Sequence, residues 1–184
     1  MERQVLPVRK IWIPIVSFAL ASVVLLGLYN GLLGVSQANR EKELQAKMET
    51  LLPGSTTFVK EEYTGQDANI AFVYKGETGY VVGTATAGYA GPIHMLIGVS
   101  SDGYVTGLQV RSMEETLGLG AEALTDWEFL AQFLGTEGDV VLGADVDAIT
   151  GATVTSKAIA RSVNSAVGFV TGSDVDSGAT SWGG

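Results

Sequence analysis

Residues 69–112 read NIAFVYKGETGYVVGTATAGYAGPIHMLIGVSSDGYVTGLQVRS. Four runs in this stretch, NIAFVYK, GYVVGTATA, IHMLIGVS and YVTGLQVRS, are rich in β-branched and aromatic residues and are parted by short glycine-containing breaks, a pattern of strands joined by tight turns. Ser101-Asp102-Gly103 is the strongest break, because Asp-Gly readily supplies the positive φ angles of a hairpin. Consecutive hairpins predict an antiparallel sheet. Downstream, AEALTDWEFLAQFLG (121–135) carries Leu124, Trp127, Leu130 and Leu134 at three- and four-residue steps, which predicts a helix laid on one sheet face. Beyond Thr153, an apolar stripe of Ile159, Val163, Ala166, Val167 and Val170 predicts a second helix of about sixteen residues, starting between Thr153 and Ser156. The fold class is therefore α+β, an antiparallel sheet with flanking helices. The last residues, GSDVDSGATSWGG, are turn-like and carry no chemistry, and the chain has no internal repeat.

Toward the N-terminus, IWIPIVSFALASVVLLGLYNGLL (11–33) passes without a charge, and about 23 helical residues match a bilayer core of roughly 30 Å. A single transmembrane helix is expected there. Pro14 falls in its first turn, where a missing N–H costs little, and Trp12 and Tyr29 sit near its ends as interfacial aromatics do. Ser36-Gln37-Ala38 resembles a signal-peptide cleavage site, but the apolar run is longer than the usual signal core, so a retained anchor is expected. Next, SQANREKELQAKMETLLPG keeps helical spacing at Leu44, Met48, Leu51 and Leu52 until Pro53-Gly54 ends it, and mixed charges over 40–49 suit a semi-rigid stalk. The expected divisions are a cytoplasmic N-terminus at 1–10, the span at 11–33, the stalk at 34–53, a domain at 54–171 and a tail at 172–184.

Charge sets the orientation and limits the partners. The formal net charge is −9, yet the first ten residues hold Arg3, Arg9 and Lys10 against Glu2, so the remainder is at −11. Positive charge before the span places the N-terminus in the cytoplasm and the domain outside the membrane. So acidic a domain repels nucleic acid, whose binding depends on clustered Lys and Arg. With no cysteine and one histidine, His94, thiolate-held iron–sulfur clusters and zinc fingers are excluded within the chain, and a histidine-held haem is hard to build. His94 is read as a strand residue. Glu114 and Glu115, as neighbours on a strand, point to opposite faces and make poor acid–base partners. A redox centre here would have to be organic.

The stretch DAITGATVTS (147–156) stands where that last helix should begin. A single Ser or Thr suffices to cap a helix, whereas this stretch has Thr150, Thr153, Thr155 and Ser156, with Gly151 and Ala152 leaving room for a group to approach the backbone. A helix N-terminus stabilises phosphate through its unpaired N–H groups and dipole, so the stretch suits either a cap or a bound phosphoester. Lys157 and Arg161, one turn apart, are either a solvated face or a counter-charge for that phosphate.

Asp147 to Thr153, DAITGAT, resembles the D-x-x-[S/T]-G-A-T flavinylation motif, in which a flavin transferase joins FMN to the final threonine by a phosphoester bond. GYAGPI (88–93) and ETLGLG (115–120) resemble further stretches of the same family, the second being similar to an E-T-P-G-L-G segment that lies against the flavin, with Leu117 in place of the proline. With the single span, these stretches resemble the G subunit of the Rnf complex, an ion-translocating ferredoxin:NAD oxidoreductase. The related C subunit of the sodium-pumping NADH:quinone oxidoreductase shares the motif but is usually longer. The resemblance implies an extracytoplasmic FMN-binding domain with covalent FMN on Thr153. It also implies that Thr150, Gly151, Ala152, Thr155 and Ser156 surround the phosphate, while Glu115, Thr116, Leu117, Gly118 and Leu119 meet the flavin ring. Such a protein is an electron carrier within a translocase rather than the NAD-reducing site; its partners are the membrane and redox subunits, the flavin transferase and membrane lipid. Two other classes fit the residues alone: a non-redox, membrane-tethered assembly subunit and a free-standing surface flavoprotein.

Overall fold

The computed structural model describes residues 8–113 and 126–173. In order, these form helix α1 (Val8–Leu51), strands β1 (Val59–Glu61), β2 (Ile70–Lys75), β3 (Gly79–Ala87), β4 (Pro92–Ser100) and β5 (Val105–Met113), helix α2 (Trp127–Ala131) and helix α3 (Thr153–Thr171). The chain divides into two compact units, Met1–Leu44 and Gln45–Gly184, which are described separately.

In the first unit, the described side chains of α1 include Phe18, Leu20, Val23, Val24, Leu25 and Leu26, all exposed apolar groups on successive sides of the helix. Among the described residues, no helix is long and apolar enough to cross a membrane.

The second unit is built on a five-stranded antiparallel meander in the order β1-β2-β3-β4-β5, as the alternating runs predict. Ser101–Gly103 makes the β4–β5 turn, where the Gly103 N–H donates to the Ser100 carbonyl at 2.9 Å. β1 was not visible in the sequence. It is a three-residue edge strand, and its Glu61 stands 3.9 Å from Lys75 of β2.

One sheet face presents Val73, Val82, Ile93, Met95, Ile97 and Val99, all buried against Ile159, Val163, Ala166 and Val167 of α3. That stripe is the one its periodicity predicts. α3 runs antiparallel to β3: Phe169 packs edge-to-face on Tyr80 at 5.5 Å, while Ala158 and Ser162 meet Thr86. Hydroxyls stitch this contact. Thr86 Oγ1 donates to the Ala158 carbonyl at 3.1 Å and shares a 2.8 Å hydrogen bond with Ser162 Oγ, and Asn69 Nδ2 donates to Ser165 Oγ at 3.2 Å.

α2 differs from expectation. Trp127 is 71% exposed and Leu134 is exposed as well, whereas Phe129 and Phe133 are buried in the core, their rings edge-to-face at 5.4 Å; of the predicted stripe, Leu130 is partly buried and Leu124 lies outside the described residues. Asp126 accepts from the Phe129 N–H and starts the helix at Trp127, which turns the two phenylalanines inward.

On the opposite sheet face, the end of α1 comes so close that a Cβ on Gly98 would collide with the Leu51 carbonyl oxygen, and one on Gly107 would stand 2.9 Å from Leu51 Cα. Thr106 Oγ1 donates to that same carbonyl at 2.6 Å, satisfying a helix-terminal acceptor left without an intrahelical partner. Because the obstacle is backbone, Gly98→Ala is expected to destabilise this unit by about 1–3 kcal/mol, the usual cost of overpacking. A denaturant midpoint equal to wild type would contradict this packing.

Candidate functional site

The 147–156 stretch forms a short loop that enters α3. Asp147 N–H donates to Gln132 Oε1 at 2.9 Å, Ile149 N–H to Ser156 Oγ at 3.3 Å, and Ala152 N–H to the Ile149 carbonyl at 3.0 Å. Gly151 has φ +84°, a left-handed conformation that residues with a Cβ rarely adopt, so the turn between Thr150 and Ala152 requires glycine. Thr153 is the first helical residue.

The hydroxyl cluster divides by direction. Thr150 and Thr153 are exposed, as is Gly151, while Ala152 is buried; Thr155 and Ser156 are buried too, at 1% and 0% exposure. Ala152 occupies the N-cap position, and no side chain makes the capping hydrogen bond. The four hydroxyls therefore do not serve as caps for α3, and the first-turn N–H groups keep their affinity for an anion. Lys157 is exposed one turn beyond Thr153, on the same helix face, and Arg161 follows a turn later with its Nε donating to the Lys157 carbonyl at 3.5 Å. An accessible hydroxyl, an uncapped helix start and a nearby cation form a donor set that fits a phosphate ester.

Other elements share this end of the sheet. Since α3 is antiparallel to β3, the helix start lies toward the β3–β4 turn at 88–91, where the Gly88 N–H donates to the Gly91 carbonyl at 2.9 Å. β5 also ends here, with Met113 opposite Ile93. Glu114, Glu115, Thr116, Leu117, Gly118 and Leu119 lie outside the described residues. Gln132, which holds the Asp147 backbone, was not anticipated, because a contact across fifteen residues leaves no periodic trace. A concavity of about 420 Å³ lies at the other end of α3, between Tyr63, Val73, Phe169 and Gly172. Glu61 and Glu62 on its rim have the wrong sign for a phosphate.

Comparison with known proteins identifies the family. A family model described as FMN-binding domain matches residues 88–168, which include the β3–β4 turn and Thr153. The G subunit of the ion-translocating oxidoreductase complex of Methanosarcina acetivorans is 38% identical over 150 residues, covering 73% of this chain and 77% of the relative. This chain belongs to the family of G subunits of ion-translocating oxidoreductase complexes. Its relative in Pseudomonas aeruginosa, of the same designation, is 32% identical over 160 residues, covering 73% of this chain and 74% of that one. The G subunit of the Na(+)-translocating ferredoxin:NAD(+) oxidoreductase complex of Acetobacterium woodii is 41% identical over 98 residues, about half of each chain at 48% and 47%. The expectation of a G subunit with an FMN-binding domain is borne out.

Proposed function

We propose that this chain is a membrane-anchored electron carrier that holds FMN covalently on Thr153 and relays electrons within an ion-translocating ferredoxin:NAD oxidoreductase complex. The carrying observation is the exposed Thr153 at the uncapped start of α3, inside the FMN-binding domain. To form the ester, Thr153 Oγ1 would attack the FMN phosphorus of a flavin phosphoanhydride held by a flavin transferase; the Oγ1–P bond forms as the anhydride P–O bond breaks, the second phosphate leaves with its own group, and the hydroxyl proton passes to a base or solvent. Bound flavin supplies the reversible electron uptake, and the protein supplies position and electrostatics. First-turn N–H groups of α3 and Lys157 hold the phosphate, with Thr150 and Gly151 beside it. The ester keeps the cofactor from being lost outside the cell. By the resemblance, the 115–119 segment, which lies outside the described residues, would meet the ring, and the chain's partners are the other redox and membrane subunits of the complex.

The anchor is the charge-free stretch 11–33. Its support is the sequence together with the exposed apolar side chains over 18–26, since a helix that is apolar on every side needs either a protein core or lipid around it. The N-terminus is cytoplasmic and the domain extracytoplasmic.

Protein produced together with a flavin transferase is expected to be yellow, with flavin fluorescence that stays with the chain after denaturation; colourless protein would sink the reading. Orientation has its own test. The chain has no cysteine, so Ala144→Cys in an exposed turn gives a single reactive thiol. A membrane-impermeant reagent should label it in intact cells, and labelling only after lysis would reverse the topology.

A further inference from the structure

The β3–β4 turn carries a large aromatic residue at the surface. Tyr89 is 74% exposed in the four-residue turn 88–91, although such turns ordinarily hold small or polar residues. Tyr104, also exposed, lies at the other end of the sheet beside the β4–β5 turn.

The turn stands level with the helix start. Thr86 of β3 is bonded to Ala158 of α3. From that shared point, Thr153 lies five residues back along the helix, about 7 Å at 1.5 Å per residue. Tyr89 lies three residues on, in the turn just past the end of β3 at Ala87, so no more than about 10 Å at 3.3 Å per residue. Both distances run toward the same end, because helix and strand are antiparallel.

We infer that Tyr89 supplies an aromatic face for the isoalloxazine ring of the FMN esterified to Thr153. This rests on the flavin assignment above and adds the ring's partner on the turn side. A flat, largely apolar ring tethered at its phosphate needs a flat neighbour within reach of the ribityl chain, and offset aromatic stacking provides one. The phenol is also electron-rich, so it favours the oxidised ring over the more electron-rich reduced one and lowers the flavin potential.

A phenol in van der Waals contact quenches flavin fluorescence by donating an electron to the excited ring and taking it back, whereas phenylalanine is too hard to oxidise to do so. The test uses the full chain produced with its flavin transferase, comparing wild type with Tyr89→Phe, Tyr89→Ala and Trp127→Phe. Tyr89→Phe keeps the shape of the ring. All four proteins should hold equal covalent flavin after denaturation. In the native state, both Tyr89 variants should brighten severalfold and lose the fastest fluorescence decay, with Trp127→Phe unchanged. Tyr89→Ala should also raise the midpoint potential. Wild-type brightness and decay in fully flavinylated Tyr89→Phe would overturn the assignment of Tyr89 alone, as would brightening in Trp127→Phe in its place. Wild-type protein without covalent flavin would overturn the Thr153 reading and this inference together.

Discussion

Thr153→Ala is expected to reduce covalent flavin from near one per chain to none, the largest single effect in the molecule. Acceptance of the phosphoester requires a hydroxyl that a transferase can reach and an environment that stabilises the phosphate. Thr155 and Ser156 fail the first condition, since both are buried in the domain and Ser156 Oγ is engaged by the Ile149 N–H. Thr150 is accessible but stands before the Gly151 turn, outside the helix whose N–H groups attract the anion. Thr153 alone meets both conditions. Flavin fluorescence of the denatured protein and mass mapping of the 147–156 region give the answer; undiminished fluorescence in the variant, or an adduct on Thr150, would end the assignment. Thr153→Ser keeps a hydroxyl at the same place and should retain measurable flavin.

Phe133→Ala should cost about 3–5 kcal/mol, the range for removing a fully buried aromatic side chain. Its ring has 0% exposure and packs edge-to-face on Phe129. Trp127→Ala, a larger truncation six residues away, should change stability by no more than about 0.5 kcal/mol, as surface substitutions do. Unfolding of the two variants side by side decides the point, and equal losses would contradict the packing of α2 and the turn that follows it.

That contrast marks where the sequence misleads. Over 127–134 the order Trp, Glu, Phe, Leu, Ala, Gln, Phe, Leu interleaves two apolar stripes, and both satisfy helical spacing. Periodicity cannot choose between them. The choice is made by the Asp126 cap, which fixes where the helix begins, and by the demand of the core for two aromatic rings. β2 to β5 were legible because alternation and glycine breaks repeat through 69–112. β1 was not, since Val-Lys-Glu has no alternation to detect and is held in the sheet by backbone pairing at an edge. At the site, the helix stripe placed the start of α3 and the resemblance to the flavinylation motif singled out Thr153, yet the sequence could not tell which hydroxyls face outward. Burial separates them, and burial depends on the sheet beneath. Gln132 comes beside the site only through chain reversal, which leaves no mark on local spacing.

The hydroxyl seam between β3 and α3 has a mechanical consequence. Purely aliphatic surfaces can slip past each other at little cost, because dispersion has no preferred direction. Thr86 and Ser162 act instead as locating pins, with Asn69, just before β2, and Ser165 as a half-buried second pair: a shift of the helix by one residue would strand the buried hydroxyls, at roughly 1–3 kcal/mol for each. The height of Thr153 above the β3–β4 turn is thus held to the tolerance of a hydrogen bond. For the proposed flavin on Thr153, such a gauge would hold its anchor at one height through every turnover.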